Sequence, residues 1–378
     1  MIRRVLLVSE PGRDGVFGCV RRLADFLHEH HPEITVDLAY SSCRGSTELT
    51  ALVERVRLRG GEAVDMRVNH SPQPADVIAW IRLLRLIWTR KPKLIHAHSS
   101  KAGALVRLIA WLPGFPAVVY SPHAYFGMPE QGGLKEQIFN QIERFLGRWS
   151  WSLFCSEDER DFAIRKLGIR PDRSELIHNG INLQRFSPAA DATRIRLRQA
   201  LGIPPDGRLL VTTGRESFQK NYAPLYAALN RVLREPEWFF VHAGAGSVEL
   251  RAKLSPEAQS RSLAFEHLDD PSQLLRAADA FVLTSRYEGL SLSMLEALSC
   301  GLAMILTRAP GFRTIASLSF PEVRWLQNPA QAEEIVQTLR DWSPLSAEAR
   351  ATQRELAVRY FDDTAQLEAI VQLYNRLI

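Results

Sequence analysis

The sequence predicts an α/β protein of two Rossmann-like domains, and three observations carry that expectation. Short apolar runs alternate with longer amphipathic segments from end to end, the pattern of βα units that build a parallel sheet with helices on both faces. A small, polar, proline-bearing stretch at residues 187–192 interrupts the alternation without any period, as a linker does. The 378 residues are ample for two buried cores, and two is the natural domain count at that length.

The elements follow in order. Residues 4–9 read as a buried strand, and residues 19–29 as a helix through Val20, Leu23, Ala24 and Leu27. Residues 35–39 form a second strand. Two helices are expected at 47–59 and 75–90, the latter aligning Ile78, Ile81, Leu84 and Trp88. Residues 93–97, 117–120 and 152–155 supply further strands. After the linker the pattern restarts with apolar runs at 209–213, 239–243, 280–284 and 303–307. The last segment, 362–378, reads as a helix through Leu367, Ile370, Val371 and Tyr374. The expected division is therefore 1–187, 188–361, and a C-terminal helix at 362–378 crossing back to the first domain. In such sheets ligands bind outside the carboxyl ends of the strands, so two facing sheets would place a site in the cleft.

Composition narrows the class. At 46% hydrophobic and 24% charged the chain is ordinary globular material, which removes collagen-like and disordered classes. Four cysteines (Cys19, Cys43, Cys155, Cys300) form no CxxC pair, so a stapled secreted fold or a zinc site is not expected, and a reducing cytoplasm suits the chain. The apolar run of residues 5–8 is too short for a secretory signal, and no uncharged apolar stretch reaches 18 residues. Residues 1–187 hold 26 Lys and Arg against 20 Asp and Glu, which leaves 21 against 22 for the remainder. Five of the eight tryptophans (Trp80, Trp88, Trp111, Trp149, Trp151) fall in that basic half. Basic charge with aromatics suits an anionic membrane surface or a phosphorylated acceptor, although core tryptophans would give the same count. No arginine-rich run or binding motif points to nucleic acid.

The strongest chemical signal lies at residues 287–297. Glu288 and Glu296 stand eight positions apart, directly after an apolar strand, with Gly289 and small serines suiting a tight turn into a helix near Ser291. A helix start presents unpaired backbone N–H groups and the positive end of its dipole, which together attract phosphate. Glu288 would stand at the loop mouth and Glu296 about two turns into the helix, where carboxylates can accept from sugar or ribose hydroxyls. Spacing alone equally allows a helix-start acid and a solvated helix glutamate.

Glu288 and Glu296 also match the E-x7-E signature of glycosyltransferase family 4, the retaining nucleotide-sugar transferases of GT-B fold, and the surroundings from Ala278 to Gly301 resemble that family's pattern nearly position by position. Gly214 and Arg215 with Lys220 resemble its "GR…K" loop, and Ile177 through Asn182 resemble its "I.NG.D" segment. The stretches at 97–103 and 121–126 look like those of bacterial members that build surface polysaccharides on lipid carriers. The resemblance implies a GT-B fold, two Rossmann-like domains facing across a cleft. It implies that Arg215 and Lys220 hold a diphosphate, the first through its guanidinium fork and the second as a point charge. By the same resemblance Glu288 contacts donor-sugar hydroxyls, Glu296 accepts from the ribose, and the amides of Gly289, Leu290 and Ser291 add phosphate contacts. His123 helps hold the sugar and Gly15 and Gly18 lie on the acceptor side, while for His98 acceptor positioning and buried packing are equally open.

A diphosphate leaving group gains charge as the sugar departs, so preorganised cations stabilise the transition state more than the ground state. No D-x-D pair is present; Asp269–Asp270 and Asp362–Asp363 are adjacent, and neighbours on a strand point to opposite faces. The expectation is a metal-independent, cofactor-free retaining transferase using a UDP- or GDP-sugar and a lipid-linked or oligosaccharide acceptor, cytoplasmic and peripheral to the membrane. Two other classes remain in view: a nucleotide-sugar epimerase of the same architecture, and a non-catalytic sugar-nucleotide-binding partner. A dinucleotide oxidoreductase lacks its G-x-G-x-x-G fingerprint. The chain departs from the family pattern at Phe17, where a glycine usually stands, and at Asn182, Thr314 and residues 320–325.

Overall fold

A computed structural model of the chain describes residues 3–378 apart from 70–72, 75 and 269, and only the backbone of Arg44. Ala75, the first residue of one expected helix, and Asp269 of the adjacent acidic pair lie outside the described residues.

Two compact units result, each with its own parallel sheet. One comprises Met1–His178 together with Thr364–Ile378, the other Asn179–Asp363. In the first unit the strands are β1 (Arg4–Ser9), β2 (Thr35–Tyr40), β3 (Ala63–Asp65), β4 (Leu94–His98), β5 (Ala117–Ser121), β6 (Trp151–Phe154) and β7 (Ser174–Leu176). The helices between them are α1 (Asp14–His30), α2 (Thr47–Leu58), α3 (Asp76–Arg90), α4 (Ser100–Arg107), α5 (Leu134–Leu146) and α6 (Glu157–Leu167). The second unit has β8 (Arg208–Thr213), β9 (Trp238–Ala243), β10 (Ser262–Phe265), β11 (Ala280–Leu283), β12 (Ala303–Thr307) and β13 (Val323–Leu326). Its helices are α7 (Asp191–Ala200), α8 (Ala223–Val232), α9 (Ser247–Ala252), α10 (Pro256–Ser260), α11 (Pro271–Ala277), α12 (Leu292–Ser299), α13 (Arg313–Ser317), α14 (Ala332–Arg340) and α15 (Ala347–Tyr360). A last helix, α16 (Asp363–Leu377), returns the chain to the first unit.

Strand order in the first sheet is β3-β2-β1-β4-β5-β6-β7, and in the second β10-β9-β8-β11-β12-β13. Both orders reverse direction once, between β1 and β4 and between β8 and β11. Such a switch point leaves a crevice at the strands' carboxyl ends, because the flanking loops turn away to opposite faces. The central strands are buried on both faces, which is why they read as unbroken apolar runs.

The first unit's core joins α1 and α2 residues such as Phe17, Leu23 and Leu52 to Leu367, Ile370, Val371 and Tyr374 of α16. Phe17 is 2% exposed within that core, so the bulky side chain at the family's glycine position points into packing. The division between units falls at His178–Asn179, ahead of the expected linker at 187–192, which lies inside the second unit. The reason is local. The Asn179 side chain donates to the Leu290 carbonyl at 2.8 Å, and Ile181 N–H donates to the Phe361 carbonyl at 2.9 Å, so the chain is already bound into the second unit nine residues earlier. Likewise α16 begins at Asp363, and the first unit resumes at Thr364. Among the described residues no helix is long and apolar enough to cross a membrane.

A buried ionic cluster braces the second unit. Asp279 is 4% exposed; it accepts from the guanidinium groups of Arg194 and Arg198 and from Leu209 N–H at 2.8 Å. Arg198, equally buried, also donates to the carbonyls of Pro205, Gly207 and Ala277. Removing one partner of such a set leaves buried charge uncompensated. Asp279→Ala should therefore lower the second unit's stability by about 3–5 kcal/mol, read as a shift of its urea transition.

Candidate functional site

In the second unit the sequence-predicted residues gather on the loops that follow β8 and β11, at the switch point of the sheet. Lys220, on the loop after β8, places its Nζ 2.8 Å from Oε1 of Glu288, on the loop after β11. Neither side chain is solvated, with 15% and 8% of their surfaces exposed. Glu288 thus stands on the loop after β11, as spacing suggested, and is buried there. Gln219 Nε2 donates to its Oε2 at 3.2 Å, and Ser285 Oγ to its Oε1 at 2.6 Å. Glu288 N–H in turn donates to the Pro310 carbonyl at 2.9 Å.

The two loops are laced together beyond this pair. Thr284 Oγ1 donates to the carbonyls of Lys220 and Asn221, Arg286 N–H to the carbonyl of Gln219, and Arg286 Nη2 to Asn221 Oδ1. Gly311 backs the Glu288 turn; its φ is +98°, and a Cβ there would stand 2.3 Å from the Glu288 carbonyl oxygen. Only glycine tolerates both the angle and the approach.

Arg215 is exposed on the loop after β8. Burial pushes the Tyr287 phenol up, with Glu288 adding and Arg215 opposing, which puts the guanidinium in electrostatic reach of the β11 loop. The turn that carries Arg215 is held by buried polar groups the sequence did not single out. His242 of β9 donates through Nε2 to the Gly214 carbonyl at 2.7 Å and accepts at Nδ1 from the Tyr226 hydroxyl at 2.9 Å. A carbonyl can only accept, so these two bonds fix the tautomer. Gly244 lies beneath; a Cβ on it would reach the Gly214 oxygen at 2.1 Å.

Ser291 is the N-cap of α12, and its hydroxyl bonds Ser293 Oγ at 3.0 Å and caps no helix amide. The Gly289–Leu290–Ser291 turn and the first turn of α12 therefore follow directly from the Lys220–Glu288 pair. Glu296 is half-buried and is the fifth residue of the helix, one turn in where spacing suggested two. Asn179 holds the Leu290 carbonyl from below, and Gly180 admits the backbone of Asp363, into which a Cβ would run at 2.4 Å. The asparagine–glycine segment thus serves the second unit's loop. Asp270 caps α11 through Ser272 N–H and pairs with Arg185 at 3.0 Å, a structural role. Among the described residues no three His, Cys, Asp or Glu side chains group as a metal site.

The first unit brings together a different set at the ends of β4 and β5. His98 Nδ1 stands 3.0 Å from His123 Nε2, with the rings stacked at 5.3 Å. His96 packs against His98 with centroids 3.9 Å apart and is held by the Tyr374 hydroxyl at Nδ1 (2.6 Å) and Ser121 Oγ at Nε2 (2.9 Å). Burial lowers all three imidazoles: His96 to about 3, His123 to about 4 with Arg22 adding, and His98 well below its ordinary value with both neighbours adding. At neutral pH the array is uncharged. His123 and Ala124 have φ of +58° and +112°, a strained turn that costs about 1–3 kcal/mol per residue. Glu159 holds it: the fully buried carboxylate accepts from Ala124 N–H at 2.7 Å and Cys155 N–H at 2.9 Å. Gly15 and Gly18 lie in the first turns of α1, and nothing stands within 4 Å of where a Gly18 Cβ would be. Packing does not explain the glycine at that position.

Comparison with known proteins adds to this geometry. Residues 13–185 match the sequence model described as Glycosyltransferase Family 4, and residues 193–357 the one described as Glycosyl transferases group 1. The chain is 29% identical over 255 residues to UDP-Gal:alpha-D-GlcNAc-diphosphoundecaprenol alpha-1,3-galactosyltransferase of Escherichia coli, a match covering 65% of each chain and so just under two thirds of that relative. It is 27% identical over 221 residues to GDP-mannose:cellobiosyl-diphosphopolyprenol alpha-mannosyltransferase of Xanthomonas oryzae, covering 55% of this chain and 53% of the relative. Among solved structures, Anabaena HepE in complex with UDP and glucose superposes with a TM-score of 0.79 at 17% identity, over 99% of this chain and all of that one. At that identity the likeness speaks to the fold.

His242 supplies a pH test of the second unit's loop. Burial lowers its pKa to about 4, the Gly214 carbonyl only partly opposing. The folded state then holds fewer protons than the unfolded between pH 6.5 and 4. Stability from this group is complete above pH 6.5, declines as pH falls toward 4, and changes no further below it. His242→Gln should show a shallower loss over that window in urea titrations, by an amount on the order of 3 kcal/mol at most.

Proposed function

The chain belongs to glycosyltransferase family 4, of GT-B fold, and from that premise we propose that it transfers a sugar from a UDP- or GDP-linked donor to a lipid-linked or oligosaccharide acceptor in building cell-surface polysaccharide. The observation that carries the reading is the Lys220–Glu288 pair at the switch point, immediately ahead of the start of α12. A diphosphate at this crevice would meet the Lys220 ammonium, which carries two N–H bonds beyond the one given to Glu288, the Arg215 guanidinium, and the amides of Gly289, Leu290 and Ser291. Glu288 acts in this reading mainly by orienting Lys220 and by offering its remaining lone pairs to a sugar hydroxyl. Glu296, farther along α12, accepts from the ribose. His123 contacts the sugar, and Gly15, Gly18 and His98 serve the acceptor side. Names of the relatives support the donor and acceptor classes: both are called transferases, with a UDP- or GDP-sugar and a polyprenyl diphosphate acceptor. No observation favours an epimerase or a non-catalytic partner.

The reaction we propose retains anomeric configuration. The bond between the anomeric carbon and the phosphate oxygen breaks, leaving an oxocarbenium-like ion beside the diphosphate. The acceptor oxygen attacks from the same face, and its proton passes to the departing phosphate oxygen. Both relatives are named for α-linked products. Lys220, Arg215 and the helix-start amides supply the charge stabilisation a divalent ion would otherwise give, so the reaction runs without metal or other cofactor.

The proposal of membrane association draws its support from α5. Leu134, Ile138, Ile142 and Phe145 are exposed along one stripe, with Lys135, Arg144 and Arg148 exposed beside them. The helix's acids are engaged elsewhere: Glu136 accepts from Gly132 N–H, and Glu143 is buried against Arg107 at 2.9 Å. An apolar stripe flanked by cations suits an anionic lipid surface, where the acceptor would reside. We place the protein at the cytoplasmic face, peripherally bound.

Transfer should be assayed with purified protein, a panel of UDP- and GDP-sugars and a polyprenyl-diphosphate-linked acceptor. An α-linked product by NMR, formed equally in EDTA, is expected; an inverted linkage or dependence on magnesium would overturn the mechanism. Lys220→Ala should lower kcat about 10²–10³-fold, the cost of one charge-stabilising donor, and unchanged kinetics would displace the phosphate site. Ile138→Asp with Ile142→Asp should abolish co-sedimentation with anionic vesicles while leaving transfer to a soluble acceptor intact.

A further inference from the structure

The contact between His98 and His123 decides more than packing. Nδ1 of His98 and Nε2 of His123 are 3.0 Å apart, a hydrogen-bond distance, and two neutral imidazoles share such a contact in only two ways. If His123 is the donor, His98 Nδ1 accepts and the His98 proton must sit on Nε2. That nitrogen is buried, in a residue 2% exposed, and has no hydrogen-bond partner among the described residues. The arrangement would strand an N–H away from water, a loss of several to tens of fold in equilibrium population. If His98 Nδ1–H is the donor, Nε2 keeps a bare lone pair, the less costly group to leave unpaired in a packed interior.

The scaffold behind the pair supports a fixed orientation. His96, hydrogen-bonded at both nitrogens, forms the wall on which the His98 ring stacks. His123 meets the Nδ1 edge of the ring from the strained turn tied to Glu159. One face and the Nδ1 edge of the His98 ring are thus defined, and its one polar contact among the described residues is to His123.

We propose that His98 is a positioning residue that donates through Nδ1 to Nε2 of His123, holding His123 as the Nδ1–H tautomer and so making that N–H the ring's hydrogen-bond donor toward the bound sugar. Free imidazole side chains favour the opposite tautomer, so the bond selects a minority form. The sugar-directed half of this inference rests on His123 contacting the donor; the tautomer itself does not.

The test is the nitrogen spectrum of the full-length protein labelled with 15N-histidine, the His123 resonances being assigned by their loss in His123→Asn. The proposal expects a protonated Nδ1 and a bare Nε2 on His123 in the unmodified protein, and the reverse would overturn it outright. His98→Phe, which fills the space without donating, should release His123 to the Nε2–H form and lower kcat about tenfold or more with donor KM little changed. His98→Asn, whose amide can still donate, should restore the Nδ1–H form and most of the rate; should His98→Phe not fold, the comparison of His98→Asn with His98→Asp, an acceptor in place of a donor, reads the same difference. An unmoved tautomer in the non-donating variants would also overturn the proposal. If the tautomer shifts as expected while the rate stays constant, the bond stands and the reading of His123 as a sugar contact fails.

Discussion

The second unit depends on one constraint, the lacing of the loop after β8 to the loop after β11. These strands are neighbours in the sheet although two strands and four helices separate them in sequence, so nothing covalent holds their loops in register. The register comes instead from side chains that bond across the switch point: Thr284 to the carbonyls of Lys220 and Asn221, Gln219 and Lys220 to the Glu288 carboxylate, Arg286 to Asn221. The ammonium and carboxylate at its centre are largely withdrawn from water, a condition that is costly for either alone and tolerable for the pair because both are also hydrogen-bonded or partly exposed. A cation held this way loses little entropy when an anion arrives, which is the sense in which the crevice is preorganised.

Much of the architecture was legible in the sequence because buried parallel strands must be apolar on both faces. Residues 4–9, 209–213, 280–284 and 303–307 announce themselves, and they are the central strands. The strands that went unread, β3, β7, β10 and β13, are the edges of the two sheets. An edge strand is short and solvated along one side, so its residues carry a mixed pattern with no clean period. The division between the units was placed late for a related reason: residues 187–192 look like a linker because they are small and polar, whereas the actual crossing is made by residues whose side chains and amides grip the second unit at once.

At the candidate site the residues proposed to face a ligand were reached by motif, since glycine turns, paired glutamates and loop cations keep fixed spacings. Their supports could not. His242, Glu159 and Tyr374 each act through a contact with a residue far away in the chain, and a lone polar residue in an apolar run carries no sign of whom it meets. The burial of Glu288 belongs here too: its spacing to Glu296 was visible, but the three donors that enclose it come from two loops.

The return of α16 has a consequence for how the protein is made. The chain enters the second unit at Asn179 and leaves it at Asp363, with Ile181 and Asp362 paired side by side near the crossing, and only then completes the first core with Leu367, Ile370, Val371 and Tyr374. On the ribosome, therefore, the earlier-synthesised unit waits for α16 to complete its core, while the strands of the second unit have all emerged before α16 does. Synthesis order and folding order run opposite ways, and the nascent amino-terminal sheet, open on the face that α16 will cover, is the stage at which chaperones have most to protect.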